Sequence, residues 1–592
     1  MNGFYGKVLT IDLTDETSRI DTVGNDILMK YLGGKGLASY LLYQNNPEGI
    51  DAFDPSNCLI FATGPVTGSS IWGSSRYGVF TKSPLTGLYS ESYSGGRVPE
   101  AVDSTGFDAI IIKGRSPRPT VVSIDPEHIG FHDAQDLWGM DTFESEDAVK
   151  QRFAKKESGF PRSGAVVIGP AGENRVNFAV IENDYWRSAG RTGVGAVMGS
   201  KKLKGIVFEG DRKRAVNNPD AVRRFSKKIT AIAKDNAGVK AYKAMGTPMM
   251  VKIMNEANTF PSRYWAEGSC EHWPAISSDA LHERCDVSAR ACLKCMMACG
   301  RLTTIRQGRH AGIKIEGPEY ETLYAFGGLC MIDEIEEIVY LNHLCDRLGV
   351  DTITAGNLCS FTIEAVKRGK VTYPIDYGDA DAVAGLIEKM VRREDIGEIL
   401  ARGIRHAAEV WGLEDLAVHV KGMEPAGYDP RVLKGMGLAY AVSDRGACHL
   451  RSTFYKAELS GMIPKDQIEG KAELFIDFED RLTLFDTLIL CRFYRDLYLW
   501  DELEDMIRAS TGLDADKKKL QTIAASVSDL VRRFNIREGL TPEDDRLPVR
   551  FYEKMEKSGH TITEAQLNTM VKEYYQLRGW DENGVPRVDA DD

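Results

Sequence analysis

The sequence predicts an α+β protein in which a β-sheet-rich N-terminal domain is followed by two mainly α-helical domains. Three observations lead to this fold class. The chain has 592 residues, which is more than one hydrophobic core accommodates, so several domains are expected. Its first third consists of short apolar runs separated by Gly, Pro, Asn and Asp, whereas long amphipathic stretches follow residue 212. Strands followed by runs of helices favour separate layers or domains over one alternating parallel sheet.

Each predicted element has its own local signal. The predicted strands are short runs bounded by turn residues, at residues 6–13, 58–63, 108–113, 120–124, 164–168 and 205–208. The predicted helices are amphipathic and mostly begin near acidic residues, at residues 219–237, 333–348, 381–392 and 514–534. We place the three domains at residues 1–210, 211–416 and 417–592, the last beginning at a Gly- and Pro-bearing run around Lys421.

Composition excludes several classes of function. The chain has 43% hydrophobic and 27% charged residues, as ordinary soluble proteins do. Its net charge of -12 argues against nucleic acid or an anionic membrane as a partner, because phosphate binding depends on clustered Lys and Arg. No apolar run approaches the roughly 18 residues of a membrane span, and the first residues lack a signal-peptide pattern. We therefore expect a cytoplasmic protein that meets small substrates or a protein electron carrier.

The cysteines point to metal binding. Their number, 11, is odd, and several stand far apart, so a disulfide framework is not expected. Three of them form the run Cys292-Leu-Lys-Cys295-Met-Met-Ala-Cys299. Three thiolates on one turn-rich segment can converge on an iron-sulfur cluster, but a [4Fe-4S] cube needs a fourth ligand from elsewhere in the chain.

Other interpretations of this run stay open at this point. The three cysteines could be buried apolar residues, or they could bind zinc, although no second short-spaced ligand pair is present. Radical enzymes that cleave S-adenosylmethionine use a similar motif, but there the three-residue gap comes first.

Two glycine- and arginine-rich segments in the first third have the composition of anion-binding loops. Glycine lets the backbone approach a ligand, and arginine supplies a permanently charged fork for phosphate. The segments read Trp72-Gly-Ser-Ser-Arg76 with Ser92-Tyr-Ser-Gly95-Gly96-Arg97, and Arg187-Ser-Ala-Gly190-Arg191-Thr-Gly193-Val-Gly195. The second lacks the final spacing and preceding strand of a dinucleotide fingerprint, so a Rossmann site is not expected. Turns that bind no ligand remain the alternative for each loop.

Together with the opening Gly6-Lys-Val-Leu-Thr-Ile-Asp-Leu13, these segments resemble the aldehyde ferredoxin oxidoreductase family over nearly the whole chain. The resemblance implies two pterin-dithiolene cofactors that hold one tungsten, or molybdenum in its place, through four sulfurs without a side-chain ligand. It also implies one [4Fe-4S] cluster, an Mg²⁺ ion bridging the pterin phosphates, and a cofactor site at the interface of the sheet-rich base domain with the helical domains. Ferredoxin or a small iron-sulfur subunit is the electron partner that it implies.

The resemblance also assigns cofactor-binding residues. In the two glycine-rich loops and near the C-terminal half they are Arg76, Tyr93, Ser94, Gly95, Gly96, Arg187, Ser188, Ala189, Gly190, Arg191 and Arg451. Two signatures of the type D-x-x-G-L-D/C hold the pterins in the family. The first reads Asp346-Arg-Leu-Gly349-Val350-Asp351 and the second Asp486-Thr-Leu-Ile489-Leu490-Cys491, with Ile in place of Gly. Cys491 is thereby implied as the fourth cluster ligand beside Cys292, Cys295 and Cys299.

Catalytic residues follow from the same resemblance. It places Glu321 and His449 beside the metal and Tyr320 and Tyr428 in the substrate pocket, with Glu319 as the alternative to Glu321 for the general base. The implied function is oxidation of aldehydes to carboxylic acids, with electrons passed through the cluster to ferredoxin or a partner subunit. A low-potential aromatic acyl-CoA reductase of the benzoyl-CoA type and a non-catalytic iron-sulfur scaffold are the alternatives.

Some members of the family bind a metal between subunits through an E-x-x-H pair. The corresponding stretch here, Asp333 to His343, lacks that spacing. The sequence therefore predicts no bridging metal, and it leaves a homodimer and a hetero-oligomer both open.

Overall fold

The computed structural model describes residues 1–154 and 162–587. Its β-strands form two six-stranded sheets in the first 210 residues and one three-stranded sheet further along the chain. None of the helices in the described part is long and apolar enough to cross a membrane.

The first sheet has the strand order β2-β1-β6-β3-β4-β5. Strands β1 and β6 are parallel, and the other neighbours are antiparallel. Its strands are β1 (Lys7–Asp12), β2 (Thr17–Thr22), β3 (Leu59–Ala62), β4 (Tyr77–Lys82), β5 (Tyr89–Ser94) and β6 (Ala109–Lys113).

The second sheet has the order β11-β10-β9-β12-β7-β8, in which β12 and β7 are the parallel pair. Its strands are β7 (Thr120–Ile124), β8 (Ile129–Asp133), β9 (Arg162–Val167), β10 (Ile181–Asn183), β11 (Arg187–Ala189) and β12 (Leu203–Gly210). The third sheet is an antiparallel unit of β13 (Cys285–Arg290), β14 (Gly300–Ile305) and β15 (Lys314–Glu316).

The two large sheets pack face to face. Side chains from the first sheet, such as Phe61 and Ile110, and from the second, such as Ile206 and Phe208, share one core in which each is almost fully buried. Period-two alternation along a strand sends neighbouring side chains to opposite faces, so Ile60 and Ile111 join a separate core on the outer face.

Helices cover the outer faces of the sheets and make up most of the chain after residue 210. The helices of the first 210 residues are α1 (Asn25–Tyr31), α2 (Gly34–Asn45), α3 (Val98–Ser104), α4 (Thr142–Phe153), α5 (Pro170–Glu173) and α6 (Val194–Ser200). The middle part contains α7 (Pro219–Asp235), α8 (Ala237–Met245), α9 (Met250–Glu256), α10 (Ser278–Arg284), α11 (Tyr320–Thr322), α12 (Ile335–Leu348), α13 (Thr352–Lys367), α14 (Ala380–Arg392), α15 (Ile396–Leu400) and α16 (Ile404–Trp411). The last part contains α17 (Lys434–Val442), α18 (Tyr455–Leu459), α19 (Lys471–Leu488), α20 (Trp500–Thr511), α21 (Lys517–Arg537), α22 (Val549–Tyr552) and α23 (Glu564–Arg578).

Two of these helices end at the sheets and position the site. Helix α12 ends at Gly349, whose φ of 78° is left-handed, and the Gly349 carbonyl accepts a hydrogen bond from Val180 N at 3.0 Å. Helix α19 ends at Ile489, which is also left-handed with φ 55°. A Cβ on Gly64 would lie 2.1 Å from the carbonyl oxygen of Leu488, so only glycine lets the first-sheet region approach this helix end.

The predicted fold class is confirmed. Predicted helices such as 333–348 and 381–392 correspond to α12 and α14 within two residues. The β-rich third also contains six helices among its described residues, and the three-stranded sheet lies within the part expected to be helical. The strands flanking the cysteine run are short and partly exposed, so they carry little of the apolar alternation that identifies a strand.

Candidate redox site

Two adjoining cavities lie where the sheets meet the helices. The larger has a volume of about 390 Å³, and the smaller has a volume of about 270 Å³. The residues that line both are Arg76, Tyr93, Trp186, Ser188, Glu316, Glu319, Cys491 and Phe493. A ligand in one cavity is therefore separated from a ligand in the other by single side chains.

The smaller cavity is lined by four thiols, those of Cys292, Cys295, Cys299 and Cys491. The first three lie on the loop that connects β13 to β14. Burial, with smaller contributions from the neighbouring thiols of Cys491 and Cys292, raises the pKa of Cys295 to about 11. In the described ranges, no three His, Cys, Asp or Glu side chains are close enough to hold a single metal ion. The thiols thus surround a space instead of converging on one point.

Backbone hydrogen bonds fix these loops to one another. Cys491 N donates to Gly73 O at 2.9 Å, and Gly73 N donates to Lys294 O at 2.9 Å. A Cβ on Gly95 would lie 2.9 Å from the Cys292 sulfur. Glycine at position 95 therefore allows the glycine-rich loop to pass directly against the cysteine loop.

A buried network of arginines and acids lies beside the larger cavity. Arg451 pairs with Glu91 and, at 2.7 Å, with Asp486, and Arg492 pairs with the same oxygen of Asp486. Both guanidinium groups lie over the ring of Tyr93, at 5.7 and 5.6 Å from its centroid. Arg451 Nε and Nη2 and Arg492 Nε are buried without a partner in this part of the chain. Buried donors are normally hydrogen-bonded, so these groups are available to an acceptor that the described residues do not supply.

A second arginine–acid group connects the other glycine-rich loop to the first signature. Arg191 Nε donates to Asp351 at 3.1 Å, and Arg191 Nη2 donates to the carbonyl of Glu424 at 2.9 Å. Asp351 also caps α13 through Ile353 N and Thr354 N. Arg191 Nη1 is a further buried donor for which the described residues provide no acceptor.

The carboxylates near the remaining loop residues have pKa values displaced by burial. Ser188 Oγ donates to Glu182 at 2.7 Å, and Asn342 donates to Asp346 at 2.8 Å. Burial raises the pKa of Glu182 well above its ordinary value, and the charge of Asp346 raises it further. Arg187 pairs with Glu316 at the wall between the cavities.

Glu321 and His449 face each other across the larger cavity. Nε2 of His449 lies 3.4 Å from Oε1 of Glu321, and Gly427 N donates to the other carboxylate oxygen at 3.0 Å. Burial raises the pKa of Glu321 to about 8, against smaller opposing contributions from Gly427 N–H and Arg191. Burial and neighbouring arginines lower the pKa of His449 well below its ordinary value. The pair thus combines a neutral imidazole with a carboxyl group that titrates near working pH.

Tyrosine rings form the wall next to this pair. The ring of Tyr428 lies 5.4 Å from the ring of His449 and 5.5 Å from that of Tyr320, and it stacks on Tyr455 at 4.1 Å. Tyr320 donates its hydroxyl hydrogen to the carbonyl of Gly427. The surface that a small organic molecule meets here is mainly aromatic.

The sequence-predicted residues fall into two groups. Those that line one or both cavities are Arg76, Tyr93, Ser94, Gly95, Arg187, Ser188, Gly190, Arg191, Glu319, Tyr320, Glu321, Asp346, Val350, Asp351, Tyr428, His449 and the four cysteines. Those that lie behind the walls are Gly96, Ala189, Gly349, Arg451, Asp486 and Leu490. Ala189 and Leu490, for example, pack into hydrophobic cores.

Several charged residues of the site were missed. Lys35 pairs with Glu91 at 3.2 Å and with Asp444 at 2.5 Å; burial raises the pKa of Glu91, yet Arg451 and Lys35 hold it at about 2. Arg492 directly follows a predicted cluster cysteine, and this adjacency is a signal that could have identified it. Glu91 lies in a strand that is almost wholly buried, and an acid in such a strand needs a partner.

The chain is similar to known proteins over almost its whole length. Residues 8–210 match the model of the aldehyde ferredoxin oxidoreductase N-terminal domain, and residues 224–590 match that of its domains 2 and 3. A tungsten-containing aldehyde ferredoxin oxidoreductase of Thermococcus kodakarensis is 35% identical, covering 100% of this chain and 99% of its own. The Pyrococcus furiosus protein of the same name is 34% identical, with 99% and 98% covered.

More distant relatives differ in their names. The WOR-like subunit of an aliphatic sulfonate oxidoreductase from Pyrococcus furiosus is 29% identical, over 100% of this chain and 96% of its own. Among solved structures, the active site complex BamBC of benzoyl coenzyme A reductase shares the fold with a TM-score of 0.84 and 24% identity, covering 99% of this chain and 96% of that one. The two family models together span most of the chain, and the chain therefore belongs to the aldehyde ferredoxin oxidoreductase family and is an oxidoreductase.

Proposed function

We propose that the protein oxidises aldehydes to carboxylic acids at a tungsten-pterin centre and passes the electrons through a [4Fe-4S] cluster to ferredoxin or a partner subunit. The observation that carries this proposal is the Glu321–His449 pair, which faces an aromatic wall in a cavity that adjoins four thiols. Family relatives named as tungsten-containing support the metal.

The residues of the larger cavity fit a cofactor with phosphate groups. Arg191 and Arg492, which line this cavity, and Arg451, which lies behind its wall, have buried donors without partners among the described residues, and guanidinium forks match phosphate geometry. Arg76, the loop 93–97, the loop 187–191 and the two signatures would hold the pterins, and Mg²⁺ would help to neutralise their phosphates. When bound, the pterin-held tungsten, or molybdenum, supplies the two-electron redox chemistry that no side chain can provide.

The side chains have separable tasks in this proposal. His449, kept neutral by burial, donates a hydrogen bond to the substrate oxygen and stabilises negative charge that develops there. Glu321 in its deprotonated form accepts a proton from water or from the aldehyde hydrate. Tyr320 and Tyr428 form one continuous aromatic wall, against which the substrate would lie and which would exclude water from the reacting carbon.

Contacts favour Glu321 over Glu319 as the base. Glu319 accepts a hydrogen bond from the Thr247 hydroxyl, and Arg187 and Arg301 oppose the rise in its pKa that burial causes. Glu321 Oε1 has no hydrogen-bond partner in the described chain and faces His449. A base must have a lone pair free for the proton that it takes.

The thiols favour a cluster over a single zinc ion. A zinc site brings its ligands to about 2.3 Å from one point, whereas these four surround a cavity of about 270 Å³. All eleven cysteines are free, which supports a reducing, cytoplasmic location. Because Cys491 lines both cavities, electrons would need only a short path from the pterin to the cluster and then to a protein acceptor.

The test combines metal analysis with activity on a panel of aldehydes and a low-potential dye. Tungsten or molybdenum together with iron is expected in the native protein, and iron alone would indicate a scaffold that only relays electrons. Glu321→Gln and His449→Gln should each lower kcat/KM by about 10²–10⁴-fold at unchanged metal content, whereas Glu319→Gln should retain more activity. Full turnover by Glu321→Gln, or turnover of aromatic acyl-CoA but no aldehyde, would contradict the proposal.

A further inference from the structure

A buried arginine at the substrate side of the larger cavity has no acid partner. Arg495 is 2% exposed and lines this cavity. Its Nη1 donates to the carbonyl of Arg492 at 2.9 Å, and its Nη2 lies 3.4 Å from the Tyr455 hydroxyl. Its Nε is buried without a hydrogen-bond partner. The charge of the adjacent Asp496 acts on Arg495, but Asp496 forms its ion pair with Lys456, and among residues 1–154 and 162–587 no carboxylate lies within ion-pair distance of Arg495. A buried charge that no carboxylate contacts directly is costly unless a ligand completes it.

Other arginines of the site differ in this respect. Arg191 pairs with Asp351, and Arg492 pairs with Asp486. Arg445, which lacks a carboxylate partner, donates from Nε and Nη2 to the sulfur of Cys448 at 3.3 and 3.0 Å. Arg191 and Arg492 thus each contact a carboxylate and Arg445 contacts a sulfur, whereas the hydrogen bonds of Arg495 go to the Arg492 carbonyl and to the hydroxyls of Tyr455 and Tyr242.

Arg495 lies near the part of the larger cavity where Glu321 and His449 would meet the substrate. The Tyr455 hydroxyl that it contacts belongs to the ring stacked on Tyr428, and the Tyr428 ring lies 5.4 Å from the His449 ring. The guanidinium thus lies beyond a pair of tyrosine rings from the Glu321–His449 pair. The unpartnered donors of Arg451 and Arg492 lie instead with Tyr93 and Asp486, so they form a separate group.

We propose that Arg495 binds a carboxylate carried by the substrate, so that the preferred substrates are aldehydes with an acid group at the far end. This inference rests on the proposed aldehyde oxidation. The aldehyde carbon would lie at Glu321 and His449, the spacer against Tyr428 and Tyr455, and the carboxylate at Arg495. Guanidinium matches carboxylate geometrically and retains its charge when buried.

The reaction is balanced in the same way as for a neutral aldehyde. The carbonyl carbon gains one oxygen from water and loses its hydrogen, and the acid is released as a dicarboxylate. Two electrons leave through the cofactor site to a low-potential one-electron acceptor, and the protons pass to Glu321 and solvent.

The experiment uses the holoenzyme with matched pairs of substrates. Succinic semialdehyde is compared with butyraldehyde, and 4-formylbenzoate with benzaldehyde. We expect the acid-bearing member of at least one pair to have the higher kcat/KM, by about 10- to 100-fold, as for a hydrogen bond to a charged group. Arg495→Met should remove most of this preference by raising KM for the acid-bearing aldehydes. The change in kcat/KM for the neutral aldehydes should be much smaller, although Arg495 is one of the arginines that lower the pKa of His449. Arg495→Lys should restore part of the preference.

Three results would overturn the inference. The first is a wild-type ratio near one for both pairs, which needs no variant. The second is an equal loss for neutral and acidic aldehydes in Arg495→Met. The third is loss of bound pterin and tungsten in Arg495→Met with recovery in Arg495→Lys, since Arg495 would then bind the cofactor. If no aldehyde is turned over, the proposed function fails, and calorimetric binding of succinate against butyrate to the wild-type holoenzyme still decides the role of Arg495: tighter succinate binding supports it, and equal binding overturns it.

Discussion

The two D-x-x-x-x-D/C signatures are built alike and end differently. Each begins in the last turn of a helix, passes through a left-handed residue, Gly349 in one and Ile489 in the other, and then reaches a side chain at the cavity. The first ends in Asp351, which pairs with Arg191 and lies beside the second sheet, where its N–H donates to Phe178 O at 3.2 Å. The second ends in Cys491, whose N–H donates to Gly73 O near the first sheet.

This difference separates two tasks that share one geometry. The carboxylate of Asp351 contributes to the electrostatic environment of Glu321, whose pKa it raises. The thiol of Cys491 lies with the other three cysteines. In the proposed function, the end of α12 therefore serves proton chemistry on one side of the cofactor cavity, and the end of α19 serves electron transfer on the other.

The largest effect is expected from removing the thiol of Cys491, which distinguishes the second signature from the first. Cys491→Ser should eliminate the electron paramagnetic signal of the [4Fe-4S] cluster and reduce dye-linked turnover by 100-fold or more, about the effect of losing the electron path. Cys58→Ser, at a buried thiol whose neighbour is Ser56 O at 3.7 Å, is the matched control and should retain the signal. A full cluster signal in Cys491→Ser would show that the two signatures do not differ in this task.

The pH profile tests the task of the first signature. Burial raises the pKa of Glu321 to about 8, and a general base acts when deprotonated. We therefore expect kcat/KM to rise about tenfold per pH unit below pH 8 and to level off above it. Asp351→Asn removes a negative charge that raises this pKa and leaves Arg191 with only the more distant carboxylate of Glu424, at 3.8 Å, and both changes should move the rise to lower pH. Asp486→Asn is the comparison variant, and an equal shift in both would contradict the separation of tasks.

Substitution of the left-handed glycines should have a smaller effect, on the free energy of unfolding. Gly349→Ala should destabilise the protein by about 1–2 kcal/mol, because a left-handed alanine costs roughly 1 kcal/mol and its Cβ would lie 3.2 Å from Gly169 N. Gly412 ends α16 with the same handedness, φ 62°, and nothing lies within 4 Å of an added Cβ. Gly412→Ala should therefore lower the free energy of unfolding only by the conformational cost of a left-handed alanine. Urea denaturation of both variants measures the difference, and equal costs would mean that close packing at Gly169 contributes nothing.

The sequence allowed the fold class to be predicted, because the changes in apolar periodicity and the helix ends are local. Gly349 marks the end of α12 as a left-handed glycine normally does. Ile489 carries no such signal, yet burial to 1% exposure and the tight contact with Gly34 hold it in the same conformation. Tertiary packing, and not local preference, determines that backbone.

The local sequence pattern could not predict which charged residues pair across the site. Lys35 and Asp444 are 409 positions apart, and neither belongs to a motif that names the other. Arg495 is likewise an ordinary arginine in the sequence, and only its burial without an acid partner distinguishes it. The same limit applies to the β13–β14 hairpin: β13 is largely exposed and β14, although mostly buried, is rich in polar residues, so neither strand shows an apolar face in the sequence.

The hydrogen bonds that join Gly73, Lys294 and Cys491 have a consequence for biosynthesis. They tie together three stretches that leave the ribosome at widely separated times, and the last of them is nearly five-sixths of the way along the chain. A nascent polypeptide can present only three of the four thiols until that point, so the proposed four-thiol cluster site would be complete only in an almost complete chain. Insertion of the cluster would then serve as a late check that the N- and C-terminal parts have docked.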